Sequence, residues 1–134
     1  MKTIYRFVLA FALLLGVTGV AAAQAAPVGT AEGRGGVSSV TLTTTGGYAG
    51  VHETVTVTPT TSFPKKDQLF SLVTRADFRA LGDRYMPVHT CCDRFNYVLE
   101  VTYADGKRKK VETMDGATAP RVLFDVIELL RSTR

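Results

Sequence analysis

The chain is poor in the side chains on which most enzyme chemistry rests. In 134 residues it has two histidines, two cysteines and no tryptophan. The cysteines are neighbours, Cys91 and Cys92, and the histidines, His52 and His89, lie far apart in sequence. There is no Gly-x-Ser-x-Gly elbow, no phosphate-binding P-loop and no His-Glu-x-x-His zinc motif. The carboxylates are scattered over turns and outward faces, with no pair placed to divide acid and base duties. These absences argue against an enzyme, and no cofactor is expected.

A strong charge of one sign is also missing. Lys and Arg number 16 against 12 Asp and Glu, for a net charge of +4. Lys2 and Arg6 fall in an N-terminal export segment, so the excess without that segment drops by two. That balance is too even to argue for nucleic acid or an anionic membrane as partner. The sole basic run, Lys107-Arg108-Lys109-Lys110, is read as a solvated hairpin arm.

The export segment is the first feature positively present. A basic start is followed by the uncharged apolar run Phe7 to Val20, then by Ala21-Ala22-Ala23-Gln24-Ala25, which fits small-x-small cleavage. The run is short for a bilayer span, which needs about 20 apolar residues. No cysteine follows the cleavage region to take a lipid. The expectation is a signal peptide over 1–25, a flexible Gly-rich leader over 26–37 and one domain over 38–134. The product would be secreted, to the extracellular space or the periplasm and cell envelope, with no stable membrane insertion after cleavage.

β-Branched residues crowd two arms, Val40 to Thr45 and Val51 to Val57, around Gly46-Gly47-Tyr48-Ala49-Gly50. Such arms favour extended backbone, and the glycines permit a tight reversal, so this is a β-hairpin carrying an aromatic at its tip. Leu69, Leu72 and Val73 recur at helical spacing, with Ser62 as a candidate cap and Pro64 in the first turn. Phe78 and Leu81 extend that helix by a turn, and Arg84 to Asp93 reads as an irregular connection.

From Arg94 to Tyr103 apolar and polar residues alternate, predicting a strand with one buried face. The turn Ala104-Asp105-Gly106 can be given a length. A two-residue loop would set Leu99 against Glu112, whereas a three-residue loop sets Leu99 against Val111 and Glu100 against Lys110. One residue of slip exchanges the faces, so the apolar pairing selects three. Thr118 or Ala119 is then the expected cap of an amphipathic helix over Arg121–Arg131, with Pro120 in its first turn. The fold class predicted is α+β: a two-layer ββαββα domain, its four-stranded antiparallel sheet packed on two helices.

His89, Cys91, Cys92 and Asp93 are the one cluster of metal-ligand types. Adjacent cysteines fit poorly at two corners of a tetrahedron, so no metal site is assigned. In an oxidising compartment Cys91 and Cys92 are instead candidates for a disulfide, although a bridge between neighbours is strained. Two buried thiols or an intermolecular crosslink are the other structural readings.

Three features in order resemble the emfourins, small proteins that inhibit protealysin and other thermolysin-like zinc metalloproteases. They are the tip Gly46-Gly47-Tyr48-Ala49-Gly50, the strand opening Asp93-Arg94-Phe95-Asn96-Tyr97 before an Asp-Gly turn, and the terminal amphipathic helix. The resemblance implies a secreted branch of the family and an extracellular metalloprotease as partner. It further implies a rigid domain that obstructs the protease cleft with loops, with Gly46, Gly47, Tyr48, Ala49 and Gly50 foremost and Thr58–Phe63 second. Two other readings stand beside it: a non-catalytic binding module of the cell envelope, and a thiol or metal module at His89, Cys91 and Cys92.

Overall fold

The computed structural model describes residues 36–132. The expected signal peptide and most of the expected leader lie outside them. Five strands, β1 (Val37–Gly46), β2 (Val51–Val57), β3 (Arg84–Tyr85), β4 (Phe95–Tyr103) and β5 (Arg108–Met114), form one sheet in the order β2-β1-β4-β5-β3. Three helices, α1 (Lys66–Thr74), α2 (Ala76–Arg79) and α3 (Arg121–Arg131), complete the described chain.

The alternation read from the sequence sets the two faces. Val40 and Leu42 of β1 line up with Val101 and Leu99 of β4, and Leu99 in turn with Val111 of β5. These five side chains are buried with Leu69 and Val73 of α1, Phe78 of α2, and Leu123, Val126 and Leu130 of α3 in one core. Tyr103 links the layers, its hydroxyl donating to the Val73 carbonyl at 2.8 Å while the Arg79 guanidinium lies 4.3 Å from its ring centre. The opposite sheet face carries rows such as Thr56–Thr41–Glu100–Lys110. Thr41 and Thr56 share a hydrogen bond across it at 3.1 Å.

The β4–β5 register is the one that apolar pairing selects: Leu99 faces Val111 and Glu100 faces Lys110. Gly106 takes the positive φ (82°) that a three-residue loop needs, and Lys110 reaches Glu100 at 3.4 Å. The basic run is correspondingly matched by acids. Lys107 faces Asp105 at 3.7 Å, and Lys109 is tied to Asp83 and the Leu81 carbonyl.

Three expectations need correction. The sheet is mixed and five-stranded rather than antiparallel and four-stranded, because Arg84–Tyr85, assigned to an irregular connection, runs parallel to β5 beside Glu112 and Thr113. Two residues are too few to show alternation, and the pairing is anchored by a distant contact, the Glu112 N–H donating to the Asp83 carbonyl at 2.9 Å. The helical layer has three helices rather than two, since Arg75 leaves helical geometry (ψ 149°) and separates α1 from α2. Finally, none of Ser62, Thr118 and Ala119 caps a helix, and Pro120 sits at the cap rather than in the first turn. The caps are Lys65 and Pro120, with no side-chain hydrogen bond at either, so burial of the apolar stripes rather than capping holds these helices.

Candidate contact surface at the hairpin end of the sheet

The tip between β1 and β2 is shaped by its glycines. Gly46 and Gly47 hold φ of 106° and 73°, conformations that L side chains rarely adopt. Both also lie hard against the start of β4. A Cβ on Gly46 would collide with the Arg94 carbonyl oxygen, and one on Gly47 would sit 2.8 Å from the Phe95 ring. The Gly47 N–H donates to the Arg94 carbonyl at 3.2 Å, and the Gly50 N–H closes the turn on the Gly47 carbonyl at 2.9 Å. The backbone is thereby fixed while Tyr48 projects outward, 96% exposed.

Arg94 joins this tip to two further loops. Its side chain donates to the Asp115 carbonyl at 2.7 Å and lies so close to Gly116 that no side chain fits there without displacing it. Preceding Arg94 in the chain is the exposed loop from Val88 to Asp93, which includes both cysteines. A depression of ≈ 390 Å³, lined by Met86, Val88, His89, Arg94, Gly116 and Thr118, separates this loop from the 115–119 turn. Val88 is 93% exposed, and it and Tyr48 are the two large hydrophobic side chains most open to solvent among the described residues.

Asp115 anchors the turn from beneath. Its carboxylate accepts from the Phe95 N–H at 3.2 Å and from the Tyr97 hydroxyl at 2.9 Å, and its own N–H donates to the Phe95 carbonyl. Tyr97 also accepts from Arg131 of α3 at 3.0 Å, and the Arg131 guanidinium lies 5.4 Å from the Tyr97 ring centre. Burial, followed by the bond to the negative Asp115, pushes the Tyr97 hydroxyl up to about 12. It therefore stays protonated at neutral pH and works as a brace. On the helix side of this brace, Tyr97, Asp115, Phe124, Ile127 and Arg131 line a second hollow of ≈ 600 Å³.

The residues singled out in the sequence are thus partly gathered. The tip, Gly46 to Gly50, and the loop holding Cys91 and Cys92 share one end of the sheet. The Thr58–Phe63 loop does not join them: it follows Val57, at the far end of β2, roughly 20 Å along the strand. There Lys66 ties it to the start of α1, donating to the Pro59 and Thr61 carbonyls at 2.6 and 3.2 Å. His52 lies on the solvent face of β2, paired across the strands with Thr45.

Cys91 and Cys92 are free and exposed in this structure. The Cys92 thiol donates to the Cys91 sulfur at 2.7 Å. Their exposure overturns one of the structural readings, that of two buried thiols. Among the described residues no three His, Cys, Asp or Glu side chains are grouped to hold a metal ion. No helix among them is long and apolar enough to cross a membrane.

Sequence reasoning missed Arg94, Asp115 and Gly116 as the joint between the loops. The available signal was Asp115-Gly116 directly after a strand, a turn signature whose partner 21 positions earlier is invisible to local patterns. The Emfourin family model matches residues 42–131, a span that takes in the tip, the cysteine loop, Arg94, the 115–119 turn and α3. No curated protein matches the chain, and no solved structure does either.

Proposed function

This chain belongs to the emfourin family, an inhibitor family rather than a catalytic one, and from that premise we propose that it is a secreted inhibitor of a thermolysin-like zinc metalloprotease. The inhibitor presents the hairpin end of its sheet to the protease cleft and excludes substrate. The observation that carries this reading is the pairing of a fixed backbone with a free anchor. Gly46 and Gly47 are locked onto Arg94 and Phe95, while Tyr48 stands almost wholly in solvent. A locked loop loses little conformational freedom on binding, and tyrosine is among the side chains that dominate protein interfaces.

The neighbouring loops extend the same surface. Val88 offers a second apolar contact, and the depression beside Arg94 offers a hollow for a partner side chain. Export of the chain, led by the segment 1–25, would bring it to proteases that act outside the cytoplasm. Catalytic groups are not required of it, since obstruction alone lowers turnover.

The test is direct. The purified protein at micromolar concentration is added to several thermolysin-like proteases, and peptide cleavage is followed. Inhibition of at least one is expected, and unchanged rates across the set would remove the reading.

A further inference from the structure

We propose that Cys91 and Cys92 form a reactive vicinal dithiol, a site that takes low-molecular-weight disulfides by thiol–disulfide exchange and closes into a bridge between the two neighbours. The proposal goes beyond the inhibitor reading and does not depend on it.

The geometry points to this chemistry in three ways. Both thiols are exposed, so a disulfide in solution can reach either sulfur. They are also the chain's only cysteines, so each has just the other as an intramolecular partner. Most telling is the backbone. Cys92 holds φ at 81°, the one non-glycine residue with positive φ among those described. Left-handed backbone is unfavourable for an L side chain. Here the turn sets the two sulfurs side by side, 2.7 Å apart, with the Cys92 S–H directed at Cys91.

In the exchange one sulfur opens and its neighbour, already beside it, resolves. Cys91 is assigned the opening step, an assignment that the Cys92→Ser variant tests. The Cys91 thiolate attacks one sulfur of RS–SR, forming a mixed disulfide and expelling RS⁻. Cys92 then loses its proton and attacks the Cys91 sulfur, closing the Cys91–Cys92 bond and expelling the second RS⁻. The two released thiolates take up the protons that the cysteines gave to solvent. The dithiol is oxidised by two electrons and RS–SR is reduced to two RSH.

The bridge is reversible for a geometric reason. Neighbouring Cα atoms stand about 3.8 Å apart, whereas relaxed disulfides span about 4.4–6.8 Å. Strained bridges are the more easily reduced, so the pair responds to the thiol–disulfide balance of its surroundings instead of locking the fold.

The experiment uses the full reduced chain with oxidised glutathione as the probe, read by intact mass and by counting alkylatable thiols. The wild-type protein is expected to lose the mass of two hydrogens, retain no glutathione, stay monomeric and lose both alkylatable thiols. Added reductant should restore both. Cys92→Ser should stop at the mixed disulfide and keep one glutathione, since the resolving sulfur is gone. A wild-type product that holds glutathione, links into dimers or keeps two alkylatable thiols would overturn the proposal. A Cys92→Ser variant that takes up no glutathione would overturn Cys91 as the attacking sulfur. Protease inhibition enters none of these readouts, so failure here and failure of the inhibitor reading are distinguishable.

Discussion

Replacing Gly46 with alanine tests whether the tip is as firmly built as its contacts indicate. Gly46 ends β1, where it pairs with Val51 on one side and Phe95 on the other. Its φ of 106° lies beyond the left-handed well, and holding an L residue in such a region costs about 1–3 kcal/mol. The added Cβ would also meet the Arg94 carbonyl oxygen, a backbone atom that cannot swing aside as a side chain can. Relieving that overlap means parting β1 from β4 at their end, and overpacking of this kind costs about 1–3 kcal/mol. The combined loss is about 2–6 kcal/mol, a large share of the roughly 5–15 kcal/mol that holds a typical domain.

Gly50 supplies the control in the same loop. Its φ of 61° sits inside the left-handed well, and a Cβ added there would meet nothing within 4 Å. Gly50→Ala should therefore cost only about 1–2 kcal/mol. Both variants reduce the freedom of the unfolded chain equally, by about 0.4–1 kcal/mol, so that contribution cancels in the comparison. In urea, where a small domain loses about 1–3 kcal/mol per molar, Gly46→Ala should lower the midpoint by about 1–2 M more than Gly50→Ala does. Equal midpoints for the two variants would refute the claim that contact with Arg94 and Phe95 fixes the tip.

Tyr48→Ala should leave the urea midpoint unchanged, because the side chain is 96% exposed, and weaken protease inhibition by about 30-fold or more, the effect of losing about 2 kcal/mol at an interface hot spot; full potency would move the contact elsewhere on the surface. Asp115→Ala strips an acceptor from both the Phe95 N–H and the Tyr97 hydroxyl, and thermal or urea unfolding should show a loss of about 2–3 kcal/mol. The Tyr97 hydroxyl, held at about 12 against an ordinary 10, favours folding while it is protonated. Its contribution is therefore complete below pH 10 and is lost as pH rises from 10 towards 12. Stability measured across that window should fall more steeply for the wild-type protein than for Tyr97→Phe, and parallel curves would contradict a raised Tyr97 hydroxyl.

What the sequence disclosed and what it withheld divide along the range of the interactions involved. α3 was legible to the residue, since Val122, Leu123, Val126, Ile127, Leu129 and Leu130 repeat at helical spacing and all six are buried. The β4–β5 register was legible because only one loop length buries Leu99 and Val111 together. The reversal at Gly46–Gly50 was legible for the same local reason: three positive φ values fall on three glycines. β3 was hidden because a two-residue strand has no period, and its existence depends on β5, more than 20 positions later. The split of the first helical segment at Arg75 was also hidden, since Phe78 and Leu81 continue an apolar pattern that the backbone interrupts.

The contact surface divides in the same way. Tyr48 could be singled out from its glycine neighbours, but its exposure follows from Arg94 and Phe95 occupying the space beneath the tip. Arg94 could be quoted as part of a strand opening, yet its role lies in reaching Asp115 and Gly116 across β4 and β5. The resemblance sets the Thr58–Phe63 loop second to the tip as a contact, yet the length of β2 places the two at opposite ends. Local chemistry thus nominates the side chains that can bind, while the strand register decides which of them share a surface. A surface assembled by register should fail as a unit, so a change at Arg94 should disturb the tip, the cysteine loop and the 115–119 turn together.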